Sequence, residues 1–267
     1  MFDWDFLTDT IDSNALLLDC RSEEAHENLT VRDACGVALI KKPFGSGPKS
    51  MVKLSGFIEE IIKLSKDKDS IIAFDEGQGM FASRMLWVLK AAGYKNGKMY
   101  SRKFTEMPKE SLGKGRGQLN PEPTKAPAAF KGVASLSFVQ QNLTRVQLLD
   151  VRTPQEYEGQ VPRLTNPDPG GICGRIPGSI NWDWRLLYDG EGRLRSKMQI
   201  IPEIKRIGLI QERPTVIYDF NGARSSTMAL VLNDCGYRQV HVYLGSWMEW
   251  RKTELPKQNV SFWHPDD

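Results

Sequence analysis

Two short apolar runs along the chain end in the same way. Ala15-Leu16-Leu17-Leu18 runs into Asp19-Cys20-Arg21, and Val146-Gln147-Leu148-Leu149 runs into Asp150-Val151-Arg152. A short apolar run bounded by polar residues reads as a strand buried on both faces of a parallel sheet. A second pair follows in the same order, Ser70-Ile71-Ile72-Ala73-Phe74-Asp75 and Thr215-Val216-Ile217-Tyr218-Asp219. Each leads into a glycine-containing loop, an arginine, and an apolar helical stretch that closes on glycine, Ser83 to Gly93 and Ser225 to Gly236. In the later stretch Met228, Leu230, Val231 and Leu232 form the buried side, and Gly236 is suited to the C-cap. Aromatic-ended strands come next, Lys98-Met99-Tyr100 and Val240-His241-Val242-Tyr243. Strand alternating with helix in both halves predicts an α/β fold, with a mainly parallel sheet flanked by helices in each half.

Between the halves lies Gly113 to Gly132, rich in Gly, Pro, Lys and Ala and without periodic apolar positions. Such a segment reads as a partly extended linker. The expected organisation is therefore a first domain over 1–112, a linker over 113–132 and a second domain over 133–267. Because the linker falls between the copies, a tandem repeat accounts for the pattern better than one large barrel.

Composition narrows the function classes. The 267 residues are 40% hydrophobic and 26% charged, with a net charge of +3. That near balance, with no basic cluster interleaved with aromatics, gives no reason to expect a nucleic-acid partner. No apolar run approaches a membrane span, and the acidic start Met1-Phe2-Asp3-Trp4-Asp5-Phe6 lacks a signal-peptide layout, so the expected location is the cytoplasm. Cys20, Cys35, Cys173 and Cys235 form no CxxC, and none has a histidine at metal-ligand spacing. Four free thiols and no metal site are expected. His26, His241 and His264 pair with no nucleophile motif. Neither a dinucleotide fingerprint nor a P-loop occurs; Gly113-Lys114-Gly115-Arg116-Gly117 lacks the strand and helix that would confirm one, so no cofactor is implied.

The segment with chemical content is Tyr218-Asp219-Phe220-Asn221-Gly222-Ala223-Arg224-Ser225-Ser226. A strand that runs straight into a short loop and then a helix points successive backbone N–H groups inward above a helix N-terminus. That is an anion cradle. Gly222 permits the tight turn, and Arg224 adds a fixed positive charge.

At these residues the chain resembles the rhodanese family, in particular its two-domain thiosulfate and 3-mercaptopyruvate sulfurtransferases. The family loop has the form C-x-x-G-x-R; Gly222 and Arg224 match, and Asp219 stands at the cysteine position. Three further segments match in order. Leu149-Asp150-Val151-Arg152-Thr153-Pro154-Gln155-Glu156-Tyr157-Glu158-Gly159 resembles the first signature. Gly174-Arg175-Ile176-Pro177-Gly178-Ser179-Ile180-Asn181 resembles G-H-I-P-G-A-x-N, with Arg175 replacing His. Tyr243-Leu244-Gly245-Ser246-Trp247-Met248-Glu249-Trp250 resembles D-G-S-W-x-E-W. The first half matches more loosely, through Asp75 to Arg84, and lacks a clear G-H-I-P-G segment. The resemblance implies tandem rhodanese-like domains, the first non-catalytic.

It also implies a sulfur relay through a cysteine persulfide. A carboxylate cannot hold a persulfide, so Asp219 predicts weak or absent sulfur transfer and a binding or regulatory role toward a small sulfur-containing anion or a sulfur-carrying protein. The Asp219 carboxylate is expected to turn into the loop and accept its N–H groups, leaving the cradle self-filled. Phe220, Asn221, Gly222, Ala223, Arg224 and Arg175 are the candidate anion-binding residues. For Arg175 a salt bridge to a nearby carboxylate is an equal alternative. Arg163 and Arg185 read as surface charges. Asp150 and Arg152 read as a charge-assisted brace below the loop, and Trp247 and Trp250 as packing under it. Two other functions stay open: an active sulfurtransferase using Cys173, and a phosphatase-like hydrolase with Asp219 as nucleophile.

Overall fold

Parallel pairing of the four apolar runs organises the molecule. The computed structural model describes residues 4–42, 45–77, 79–125, 129–163 and 171–259. Twelve strands are described: β1 Leu7–Thr8, β2 Ala15–Asp19, β3 Thr30–Val31, β4 Cys35–Gly36, β5 Ser70–Phe74, β6 Gly97–Tyr100, β7 Leu112–Gly113, β8 Val133–Ala134, β9 Gln147–Asp150, β10 Ile180–Asn181, β11 Thr215–Tyr218 and β12 Val240–Tyr243. The first sheet has the order β1-β6-β5-β2-β4 and the second β8-β12-β11-β9-β10, the same topology, with every pair in both parallel. The repeat in the sequence is thus a repeat of fold: two tandem α/β domains, each a parallel sheet flanked by helices.

Helices α1 Glu23–Asn28, α2 Pro48–Leu64 and α3 Met80–Ala91 belong to the first half. Helices α4 Leu136–Asn142, α5 Pro154–Tyr157, α6 Lys197–Arg206, α7 Ala223–Asp234 and α8 Ser246–Trp250 belong to the second. Helices α3 and α7 each follow the central strand of their sheet, and each starts after a glycine in the left-handed region, Gly79 (φ 67°) and Gly222 (φ 88°). They pack on one another at the centre of the molecule. Ala82, Met85 and Leu89 of α3 share one apolar cluster with Met228, Leu230 and Val231 of α7. The outer faces of the two sheets carry separate clusters, around Phe74 and Tyr100 in the first and around Tyr218, Tyr243, Trp247 and Trp250 in the second. Parallel strands covered on both faces explain the near-continuous apolar runs. The hydroxyls of Ser83 and Thr227 meet at 2.6 Å across the buried α3–α7 contact.

The segment after β7 is laid along the first domain. Backbone bonds tie Arg116 N to Ala34 O (2.8 Å), Leu119 N to Gly36 O (2.8 Å) and Thr124 N to Val52 O (3.2 Å). Gly56 on α2 admits this strap: a Cβ there would stand 2.2 Å from the Glu122 carbonyl oxygen. Its prolines and glycines keep it extended, but two-sided hydrogen bonding gives it a fixed path. No helix among the described residues is long and apolar enough to cross a membrane.

Candidate functional site

Strand β11 delivers Asp219 to the domain boundary, where its carboxylate is fully buried. One oxygen, Oδ1, accepts the N–H groups of Asn221 (3.1 Å) and Gly222. The other, Oδ2, accepts the Arg224 N–H at 2.7 Å. The Ser246 hydroxyl lies 2.9 Å from Oδ1 and that of Ser225 3.4 Å from it. Most of these donors converge on Oδ1, while Oδ2 accepts the Arg224 N–H alone. The cradle is filled by the chain's own anion, as the residue order predicts.

The first domain holds the same device. Asp75 Oδ1 accepts the N–H groups of Gly77 (3.0 Å) and Gly79 (2.9 Å), and Oδ2 those of Phe81 (3.0 Å) and Ala82 (3.1 Å). Its cap glycine lies four residues on, against three for Gly222. At each domain's central strand, then, an aspartate caps the helix that follows by closing its own loop.

Ser246 is the loop residue that the sequence reading quoted but did not assign. It adopts φ 51°, a left-handed conformation rare for a side chain with Cβ. The conformation is held from both sides. Its Oγ accepts the Asp219 N–H (3.2 Å) and also lies 2.7 Å from Tyr243 O. The only advance signal was its place in the Gly-Ser-Trp segment.

Arg224 is differently employed from the expectation. Its guanidinium fork is taken by Glu156, Nη1 to Oε2 at 2.8 Å and Nη2 to Oε1 at 3.0 Å, while Nε stands 3.6 Å from Asp219 Oδ2. Glu156 is itself fully buried and also accepts from Thr153, through N–H (3.2 Å) and Oγ1 (3.0 Å). Glu156 and Thr153 thereby also close the capping box of α5. A second arginine approaches from the first domain: buried Arg84 donates to Asn221 O (3.3 Å), Ile40 O (3.0 Å) and Lys42 O (3.0 Å). Burial lowers the Arg84 pKa to about 10, with Asp219 opposing the shift, so it remains a cation at neutral pH.

Among the described residues Arg175 contacts neither the loop nor a carboxylate. It stacks over Tyr157, 4.3 Å from the ring centroid, and donates to Tyr157 O at 3.2 Å, because its backbone pairs with Gln258. Arg163 and Arg185, read from sequence as surface charges, line a cavity of about 250 Å³ over the loop with Lys41, Met80, Phe81, Thr153, Trp184, Phe220, Asn221, Ala223 and Arg224, and Arg185 is exposed as that reading expects. Arg163 is drawn in by Phe220, whose ring centroid lies 4.7 Å away. Asp150 and Arg152 form the expected brace. Arg152 Nη2 bonds Asp150 Oδ2 (2.7 Å) and Gly174 O (2.8 Å), with Trp247 5.0 Å from the guanidinium. Trp247 and Trp250 are fully buried, their indole N–H groups satisfied by Ile172 O and Pro256 O, each at 3.1 Å.

All four cysteines are free thiols. Cys20 and Cys35 are buried, and burial pushes both pKa values up; that of half-buried Cys235 rises to about 11, again through burial. Cys173 is half-buried, with Sγ 3.7 Å from Gly171 O, and does not line the cavity over the loop. His26 packs against Asp19 and His241 against Phe138; His264 lies outside the described residues. Among the described residues no cluster of His, Cys, Asp or Glu is placed to hold a metal.

Two buried carboxylates make the fold acid-sensitive. Burial raises the pKa of Glu156, but the bonds and charge of Arg224 outweigh it and leave the value lowered. Asp19 behaves alike, burial being outweighed by Arg21 and Thr30. A lowered folded pKa contributes stability that is complete above the unfolded value of about 4, and is lost as pH falls through the folded value. Urea denaturation should therefore show a plateau near neutrality and a decline below about pH 4.5, shallower in Glu156→Gln.

Residues 136–253 match the rhodanese-like domain family. The second half of the chain carries this match. The chain is 28% identical over 192 residues to a thiosulfate sulfurtransferase of Azotobacter vinelandii, covering 67% of this chain and 65% of that protein. It is 28% identical over 200 residues to a 3-mercaptopyruvate sulfurtransferase of Mus musculus, covering 72% and 65%. The match thus spans just under two thirds of each curated relative. A solved structure of a probable thiosulfate sulfurtransferase superposes with a TM-score of 0.61 at 22% identity, over 93% of this chain and 99% of that one. That likeness extends the rhodanese fold across both halves.

Proposed function

We propose that this chain is a rhodanese-family, sulfurtransferase-like protein that carries no persulfide at its cradle, and that it acts as a binding or regulatory module for a sulfur-containing anion or a sulfur-carrying protein. The supporting observation is the Asp219 carboxylate, buried and accepting the N–H groups of Asn221, Gly222 and Arg224, with the Ser246 hydroxyl 2.9 Å away. Persulfide formation needs a thiolate that attacks sulfane sulfur, forming one S–S bond while the donor's S–S bond breaks. No thiol lines the cavity over the loop among the described residues. An incoming anion would meet the Asp219 carboxylate's own negative charge in the loop.

The test is thiocyanate formation from thiosulfate and cyanide. The wild type is expected to give no rate above the protein-free blank, and Asp219→Cys to gain one. Wild-type turnover that disappears in Cys173→Ala would overturn the proposal and assign the chemistry to that thiol.

A further inference from the structure

The cavity over the loop holds more positive charge than the protein itself balances. Of its four cationic lining residues, two have carboxylate partners. Arg224 is held by Glu156, and Arg185 Nε lies 2.9 Å from Asp183 Oδ2. The other two rest on aromatic faces. Lys41 Nζ is 4.9 Å from the Phe81 centroid, and the Arg163 guanidinium 4.7 Å from that of Phe220. Among the described residues no carboxylate lies within ion-pair distance of either, and none of the described lining residues is acidic. A cation–π contact orients a cation without neutralising it. Lys41 comes from the first domain and Arg163 from the second, so two unbalanced charges face one cavity from its two sides.

Apart from Thr153 and Asn221 the remaining wall is apolar. Met80 and Phe81 stand on the first-domain side, Trp184 and Phe220 on the other. Its size, about 250 Å³, lies below the roughly 300 to 1,000 Å³ of pockets for drug-sized ligands. A one-ring molecule suits it better than a nucleotide. Like charges across a partly desolvated cavity repel, and an occupant with two negative charges relieves that repulsion.

We propose that this cavity is a non-covalent binding site for a small organic dianion with a planar apolar body, such as an aryl phosphate or an aromatic dicarboxylate, bridged by Lys41 and Arg163. The proposal builds on the reading of Asp219 above. A cradle filled by its own carboxylate leaves the ligand's charge to these two cations and keeps the ligand out of the loop. The apolar ring lies between Phe81 and the Trp184–Phe220 side, and no bond in the ligand is made or broken.

Isothermal calorimetry on the full chain tests this with phenyl phosphate, phthalate, benzoate and inorganic phosphate. Phenyl phosphate is expected to bind one to one and at least about tenfold tighter than benzoate, which lacks the second charge, or inorganic phosphate, which lacks the ring. Comparable phthalate binding extends the site to dicarboxylates; its absence restricts the site to phosphate esters. Lys41→Gln and Arg163→Gln should each weaken binding about tenfold, while Lys63→Gln, at an exposed position of α2, leaves it unchanged. Added salt should weaken wild-type binding, a readout that needs no variant to fold. Inorganic phosphate binding as tightly as phenyl phosphate, an unaffected Arg163→Gln, or no heat at millimolar ligand would overturn the proposal. Thiocyanate formation by the wild type would remove the Asp219 reading alone, since the binding comparison is made without any sulfur donor.

Discussion

Asp219→Ala is expected to cost about 5 kcal/mol and to lower the melting temperature by about 15 °C, a change readable by calorimetry or circular dichroism. The carboxylate is the shared acceptor for the N–H groups of Asn221, Gly222 and Arg224, and it has no solvent exposure. Each hydrogen bond to a charged group contributes about 1.5 to 3 kcal/mol, and buried donors left without an acceptor carry their full desolvation cost. The loss does not stop at the loop. Gly222 is held in the left-handed region by this closure, with the Leu244 carbonyl oxygen 2.9 Å from where a Cβ would sit. Ser246 keeps its φ of 51° with its Oγ accepting the Asp219 N–H and facing the carboxylate. Arg84 and Arg224 both lose a neighbouring negative charge. Asp219→Asn preserves shape and one carbonyl acceptor and should cost less than half as much. Asp75→Ala, which opens the equivalent loop of the first domain, should resemble Asp219→Ala. A melting temperature of Asp219→Ala within 3 °C of wild type would contradict the capping role, since about one kcal/mol moves a chain of this size by about 2 to 4 °C.

Glu156→Ala should be nearly as damaging, at about 3 to 5 kcal/mol or about 10 °C, because it leaves the largely buried Arg224 guanidinium without the partner for its fork. The same change removes the acceptor for both Thr153 groups and so loosens the start of α5. Pairing it with Arg224→Met separates the two effects. If the cost comes mainly from a stranded buried cation, the double variant Glu156→Ala/Arg224→Met should recover at least about half of the stability lost in Glu156→Ala. Additive losses would place the weight on the α5 cap instead. The two predictions describe one assembly seen from two sides: Asp219 closes the loop from within, and Glu156 fixes the arginine that borders it.

Legibility followed distance along the chain. The aspartate loop was readable because it is local: strand, Asp219, Gly222 and helix lie within a few residues, and a tight turn needs its glycine at a set offset. The same holds for the Asp150–Arg152 brace and its first-domain copy, Asp19–Arg21, two residues apart. Arg175 was misplaced because its position in the signature gave no hint that its backbone pairs with Gln258, far along the chain. That Arg163 and Arg185 line the cavity left no mark in the sequence, because an arginine amid polar residues looks the same whether it faces solvent or a cleft. The segment from Gly113 onward reads as a partly extended linker; its backbone hydrogen bonds to the first domain and the vacant side of Gly56 leave no mark in composition.

The sequence by itself determined the two copies, their parallel order and the anion that fills the second cradle. These follow from the apolar period, from turn chemistry, and from a carboxylate that must satisfy nearby N–H groups once water is excluded. Tertiary structure alone decided what surrounds that filled cradle. Lys41, Phe81, Arg163, Trp184 and Phe220 line one cavity although they come from separate stretches of both domains. Packing of α3 on α7 brings them together, and charge has no periodicity along a chain to announce which cations that packing will gather. Asp219 was therefore legible as a residue, while the unbalanced charge of Lys41 and Arg163 above it became visible only in the folded molecule.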